Sequence, residues 1–241
     1  MQTALFPSLS RFTVALRVGG FYAAVTLLSV AWSTFARDKS ILLFEPAGSR
    51  LLPSNVLSNL ALGCAFGLLL VLLTRWAKER FQFAQVLHGE FKHLIGPIDR
   101  HDILVIAAAS AIGEECLFRG ALMPQISQYF SQPVGVVVAV LFSSLLFSLL
   151  HIGPDTRFVA WTISSFVFGL ILGCMFLMTG DLLASIAIHF TVNGLNLADI
   201  VKNDQAQGRS VTTSLAGNKT GAWTDPRQFL ARRAGRDLFS A

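Results

Sequence analysis

The sequence predicts an all-α, polytopic membrane protein: a bundle of about six transmembrane helices with one interfacial helix on the cytoplasmic side. Three observations lead there. Apolar residues make up 53% of the 241 residues and charged residues only 14%, with a mean hydropathy of +0.59, whereas a soluble domain carries roughly a quarter charged. The apolar residues gather into runs close to the about 20 residues a helix needs to cross hydrocarbon. Lys and Arg are distributed very unevenly among the connections between those runs.

The six runs cover roughly 18–36, 54–74, 103–124, 133–152, 158–180 and 181–200. The first, second and fifth contain no charged residue and are predicted as spans on hydropathy alone. The third and sixth are interrupted by polar groups. Arg11 and Arg17 ahead of the first run resemble the start of a signal peptide, but the run is long for one and Ser33-Thr34-Phe35-Ala36 is a poor cleavage site, so the segment is expected to be retained. Cys64, Cys116 and Cys174 all fall in apolar stretches, are odd in number, and read as packing residues rather than a disulfide framework.

Alternating the six runs across a bilayer puts fifteen Lys and Arg on one face, three (Arg37, Lys39, Arg50) on the other, and leaves Arg119 inside a span. The positive-inside rule then places both termini in the cytoplasm. The formal charge of +5 therefore describes membrane orientation, and nothing in its distribution points to a nucleic acid. Between the second and third runs, residues 75–101 place Trp76, Phe81, Phe83, Leu87, Phe91 and Leu94 at helical spacing among charges, the pattern of an amphipathic helix in the interface. The membrane domain is thus assigned to 1–200. The polar segment 201–241 reads as a cytoplasmic tail: a flexible linker to about 225, then a short basic amphipathic helix from Asp225-Pro226-Arg227 onward, suited to anionic lipid.

Polar residues within the runs form three groups: Glu114-Glu115 with Arg119, Phe147 with His151, and His189 with Asn193. An ionisable group in hydrocarbon costs several kcal/mol, so its default reading is functional. On a helix Glu115 and Arg119 face one another four residues apart, while Glu114 points about 100° away. One carboxylate is neutralised. The other, desolvated and without a local partner, suits a general base. His189 and Asn193 lie one turn apart on the same face, where the alternative is a plain helix–helix hydrogen bond. His151 ends its span and by itself reads as an interface histidine. Counted along ideal helices, Glu114 lies about 16 Å and His189 about 12 Å from opposite faces, depths that coincide in a core of about 30 Å. His151, about 27 Å from the far face by the same count, requires a tilted or shifted fourth helix.

The motifs Glu114-Glu115-x-x-x-Arg119, Phe147-x-x-x-His151 and His189-x-x-x-Asn193, in that order on consecutive spans, resemble the CAAX-protease and bacteriocin-processing family, whose best-known members are the type II CAAX prenyl endopeptidases. The resemblance covers about 102–200. It implies an intramembrane glutamic endopeptidase in which Glu114 and His151 activate water, His189 and Asn193 stabilise the oxyanion, and Glu115 and Arg119 form a supporting pair. No cofactor is expected on this reading. Zinc is the open alternative, because Glu114, His151 and His189 also form a two-His, one-Glu ligand set. The expected partners are the lipid bilayer and a membrane-anchored protein or peptide substrate, and the expected location is the cell inner membrane. Two other classes share these residues: a non-catalytic bacteriocin-immunity or regulatory protein, and a proton-coupled transporter, whose relays also use buried Glu and His. The absence of a visible inverted repeat weighs against transport.

Overall fold

The computed structural model describes residues 7–37, 41, 55–95 and 98–219, with side chains described for 16–36, 41, 55–91 and 98–202. The chain divides into two compact units, Met1–Val201 and Lys202–Ala241. Every element among the described residues is helical: α1 (Pro7–Arg37), α2 (Val56–Arg80), α3 (Gln82–Ile95), α4 (Arg100–Glu115), a π-helical stretch (Cys116–Leu122), α5 (Met123–Ser127), α6 (Val134–Leu149), a 3₁₀ turn (Thr156–Phe158), α7 (Val159–Thr179) and α8 (Leu183–Lys219).

Local chemistry sets the boundaries. Asn55 and Asp99 cap α2 and α4: the Asn55 side chain accepts from the Ser58 amide and Asp99 from the His101 and Asp102 amides, satisfying N–H groups that have no partner inside the helix. At the end of α7, Gly180 adopts φ 73°, a left-handed conformation that any Cβ would strain. The π-helical stretch has its cause in Pro124, which lacks an amide and whose ring crowds the carbonyl four residues back. Immediately before it the helix widens, so that the Met123 amide bonds to Phe118, five residues earlier.

Four of the described helices are long and apolar enough to cross a membrane, within Leu16–Ala36, Val56–Arg80, Thr156–Thr179 and Leu183–Lys202. The other two predicted spans have a different form. The third is the composite of α4, the π-helical stretch and α5. The fourth, α6, has 16 residues, a length of about 24 Å, and falls short of a full crossing. The helix predicted between the second and third runs starts later than expected, because α2 continues through Trp76 to Arg80 before α3 begins. Phe91 of α3 meets Phe158 and Trp161 edge-on at 5.6 and 4.7 Å, and Glu90 pairs with Arg157 at 2.5 Å. In the second unit the predicted flexible linker is helical through Lys219, since adding residues to a formed helix is cheap compared with starting one. The predicted basic helix lies outside the described residues. Of the three cysteines only Cys116 is buried; Cys64 and Cys174 are exposed, which corrects their reading as packing residues. On an apolar helix facing lipid a thiol behaves as one more small hydrophobe.

Small residues let the helices touch. In α2 the buried positions Asn59, Gly63, Gly67 and Val71 recur every four residues, the small-residue stripe that membrane helices use for close approach. A methyl group at Gly63 would lie 2.5 Å from the Ala184 carbonyl oxygen, and one at Gly67 2.7 Å from Thr191 Cβ. Asn59 bonds to Asp181 at one end of this contact, and Lys78 pairs with Asp199 at the other. Residue numbers rise together along α2 and α8, so these helices are parallel. They rise together along α1 and α4 as well, from Gly19 beside Val105 to Tyr22 beside Gly113. Along α4 and α8, and along α6 and α7, they run in opposition. These directions are those of a chain that crosses back and forth.

This packing yields a prediction. Gly63→Ala drives a methyl into backbone and should cost about 1–3 kcal/mol of stability, whereas Gly20→Ala, with nothing within 4 Å of the new methyl, should be neutral. Unfolding in mixed micelles with increasing sodium dodecyl sulfate checks both.

Candidate active site

The three polar groups meet between α4, the end of α6 and α8. α4 and α8 approach as an antiparallel ladder. The Asn193 amide donates to Ser110 Oγ at 3.1 Å. One turn along, His189 faces both carboxylates: Nδ1 lies 2.9 Å from Glu115 Oε1 and Nε2 lies 3.7 Å from Glu114 Oε2. Each rung uses residues four apart on its own helix, so both members of a rung arrive on facing surfaces.

His151 completes the group, with Nε2 3.8 Å from the same Glu114 Oε2. It sits two residues past the end of α6, and the packing of that helix brings it to Glu114, as a tilted or shifted fourth helix would. Three contacts hold the ring. Nδ1–H donates to the Phe147 carbonyl at 2.7 Å, the Phe147 ring stacks on it at 4.3 Å, and Trp161 meets it edge-on at 5.3 Å. The Thr162 hydroxyl donates to the His151 carbonyl at 3.0 Å, fixing the backbone as well.

Beneath these residues lies a fully buried ion pair. Glu115 and Arg119 are both 0% exposed, with Nη1 to Oε1 at 3.0 Å, as their spacing predicts. Arg119 also donates through Nη2 to the Gly169 carbonyl at 2.9 Å, and its guanidinium carbon stands 4.8 Å over the Phe147 ring. Glu115 therefore does more than neutralise Arg119: one of its oxygens receives both the arginine and His189 Nδ1–H. Exposure rises outward, from 2% for the His189 side chain to 12% for Glu114 and 20% for His151.

Two neighbours escaped the sequence reading. Glu114 has a partner after all: the Tyr22 hydroxyl of α1 donates to its Oε1 at 2.5 Å. Gly113 permits this, since a methyl there would meet Tyr22 Cδ1 at 2.7 Å. Tyr22 is one of only two tyrosines in the chain and sits in a charge-free span, the one signal that could have singled it out. Ser110, partner of Asn193, carried no signal beyond its place one turn before Glu114.

The hydrogen bonds define the imidazole tautomers. Each ring has Nδ1–H directed at an oxygen that can only accept, so in the neutral ring Nε2 carries the lone pair. Both Nε2 atoms face Glu114. An N–H held on a carboxylate or carbonyl with the other nitrogen free is also how metal-bound histidines are oriented, so Glu114, His151 and His189 are chemically suited to zinc. Donor-atom proximity within 4.8 Å, however, picks out Asp99, His101 and Asp102 among the described residues, and there the Asp99 carboxylate is engaged in capping α4.

The buried pair generates its own prediction. Arg119→Ala leaves the Glu115 carboxylate uncompensated and should cost about 3–5 kcal/mol, seen as a large loss of membrane-inserted protein. Combining Arg119→Met with Glu115→Gln removes both charges and should restore part of the yield. Equal losses in the single and double variants would contradict the pairing.

Residues 100–195 match the family model described as type II CAAX prenyl endopeptidase Rce1-like. No curated protein and no solved structure matches the chain. The matched segment contains Glu114, Glu115, Arg119, His151, His189 and Asn193 and leaves out α1 and α2. Over that segment the chain is similar to the type II CAAX prenyl endopeptidases.

Proposed function

We propose that this chain is an intramembrane endopeptidase that hydrolyses a peptide bond of a membrane-associated protein or peptide by a metal-independent, glutamate-based mechanism. The observation that carries this reading is the position of Glu114 Oε2, 3.8 Å from His151 Nε2 and 3.7 Å from His189 Nε2. These separations exceed a direct hydrogen bond and suit a water that bonds to both sides.

The catalytic roles follow from donor and acceptor chemistry. Water held by Glu114 and His151 attacks the scissile carbonyl carbon as Glu114 takes its proton. The carbonyl oxygen becomes an oxyanion and accepts from His189 Nε2–H and from the Asn193 amide, which has a second N–H beyond the one bonded to Ser110. Donation from Nε2 requires a proton on both nitrogens of His189, since Nδ1–H is held by Glu115. Collapse of the tetrahedral intermediate breaks the C–N bond, and the proton on Glu114 passes to the leaving amine. Glu115 and Arg119 hold His189 in place.

Zinc, if bound, would be held by Glu114, His151 and His189 and would polarise the carbonyl and acidify the water. Asn193 favours the metal-independent reading, because an amide one turn from His189 is a better oxyanion donor than a zinc ligand. The excess of Lys and Arg on one face supports a multi-pass protein of the cell inner membrane, with about six spans and both termini in the cytoplasm.

The test uses the full chain in liposomes with two kinds of quenched peptide, one ending in a prenylated Cys-aliphatic-aliphatic-X sequence and one spanning the bilayer. Glu114→Gln, His151→Ala and His189→Ala should each lower turnover by about 10²–10⁴-fold, and Asn193→Ala by about 10²–10³-fold, with the protein still folded. Near wild-type turnover in Glu114→Gln would remove Glu114 as the base. Stoichiometric zinc in purified protein, lost in Glu114→Gln and His189→Ala, would decide for the metalloenzyme.

A further inference from the structure

We infer that Tyr22 of α1 is a positioning residue for the reaction: its hydroxyl holds Glu114 Oε1 and thereby commits Oε2 to the water. The inference rests on the proposed role of Glu114 as base. It arises outside the segment that matches the protease family, since Tyr22 lies well before residue 100.

The geometry divides the Glu114 carboxylate between two tasks. Oε1 receives the Tyr22 hydroxyl at 2.5 Å. Oε2 faces His151 Nε2 and His189 Nε2, and is buried with no hydrogen-bond partner in the protein. A carboxyl group rotates broadly about its last bond, so without an anchor either oxygen could turn toward the water or toward Glu115. A phenol at Oε1 removes that freedom, and misplacement of a base by about 1 Å can cost 10²-fold in rate. The charged and titratable groups around this carboxylate are Glu115 and Arg119 of its own segment, His151 after α6, His189 of α8 and Tyr22 of α1. Tyr22 is the one among them that reaches Oε1.

The contact with α1 is built rather than incidental. Gly113, adjacent to Glu114, is the residue against which Tyr22 packs: a methyl there would lie 2.7 Å from Cδ1, 3.1 Å from Cβ and 3.2 Å from the backbone oxygen of Tyr22. Phe21 meets the Tyr22 ring edge-on at 5.1 Å. On the next turn Thr26 donates its hydroxyl only to the Tyr22 carbonyl, at 2.8 Å. Thr26 thus offers a matched hydroxyl on the same helix with no path to the carboxylate.

The experiment measures cleavage in liposomes of whichever quenched peptide the wild-type chain cuts faster. Tyr22→Phe keeps the ring and removes the donor. It should lower kcat by about tenfold to a hundredfold, leave KM within about twofold because the phenol does not bind substrate, and leave the unfolding midpoint in mixed micelles unchanged. Thr26→Val should keep wild-type kcat. Replacing Tyr22 with a fluorinated tyrosine, which keeps the donor and makes it more acidic, should retain the activity that Tyr22→Phe loses, whereas a purely ring-packing role would leave all three side chains equally active. Wild-type kcat in Tyr22→Phe alongside an inactive Glu114→Gln would overturn the role of Tyr22 and leave the protease reading standing. A loss in Thr26→Val equal to that in Tyr22→Phe would also overturn it, assigning the effect to helix packing. Cleavage that survives Glu114→Gln would overturn both the role of Tyr22 and the base it serves.

Discussion

A fully buried cation, Arg119, is the constraint on which the rest of the structure depends. In a membrane its charge is tolerable only if it is matched, and three elements contribute contacts to it, while Nε is left without a hydrogen-bond partner. Glu115 supplies the counter-charge from the preceding turn, Gly169 of α7 supplies a backbone carbonyl, and Phe147 of α6 supplies a ring face. The widened turn that Pro124 imposes contains Arg119 itself. The contacts made to the arginine therefore tie α4, α6 and α7 to one another.

The same network orients the site. Glu115 Oε1 is shared by Arg119 and His189 Nδ1–H, so the ion pair also sets the tautomer and direction of the histidine. Phe147 offers its ring to Arg119 and to His151, and its carbonyl to His151 Nδ1–H. Both imidazoles are thus held from behind, and both present Nε2 to Glu114. A site formed on rigid helices with each ring anchored is preorganised, the condition under which a few dipoles act strongly on a developing charge.

Small residues decide how closely the outer helices come. Gly63 and Gly67 let α2 run along α8, and Gly113 lets α1 reach the carboxylate. In lipid, where helices gain nothing from hiding apolar surface from water, such van der Waals contact and a few interhelical hydrogen bonds supply the association. The aromatic contact of Phe91 with Phe158 and Trp161 ties α3 to the start of α7, and Trp161 in turn bears on His151.

Much of this was legible in the sequence, because the features concerned are local. The apolar runs, the amphipathic α3 and the Glu115–Arg119 pair depend on composition and on helical spacing, which a sequence displays directly. The three polar groups announced a site because polar atoms are costly in hydrocarbon wherever the helices go. What only the tertiary structure decided are contacts between distant segments. Tyr22 lies 92 residues from Glu114, and a tyrosine in an apolar run looks the same whether its hydroxyl meets lipid headgroup or carboxylate. The attachment of His189 to Glu115, the hold of Phe147 on His151 and the placement of α6 that brings His151 to Glu114 likewise depend on which helix faces which. Periodicity says which residues share a face. Close packing, permitted by glycines whose missing side chains leave no mark on hydropathy, decides what that face meets.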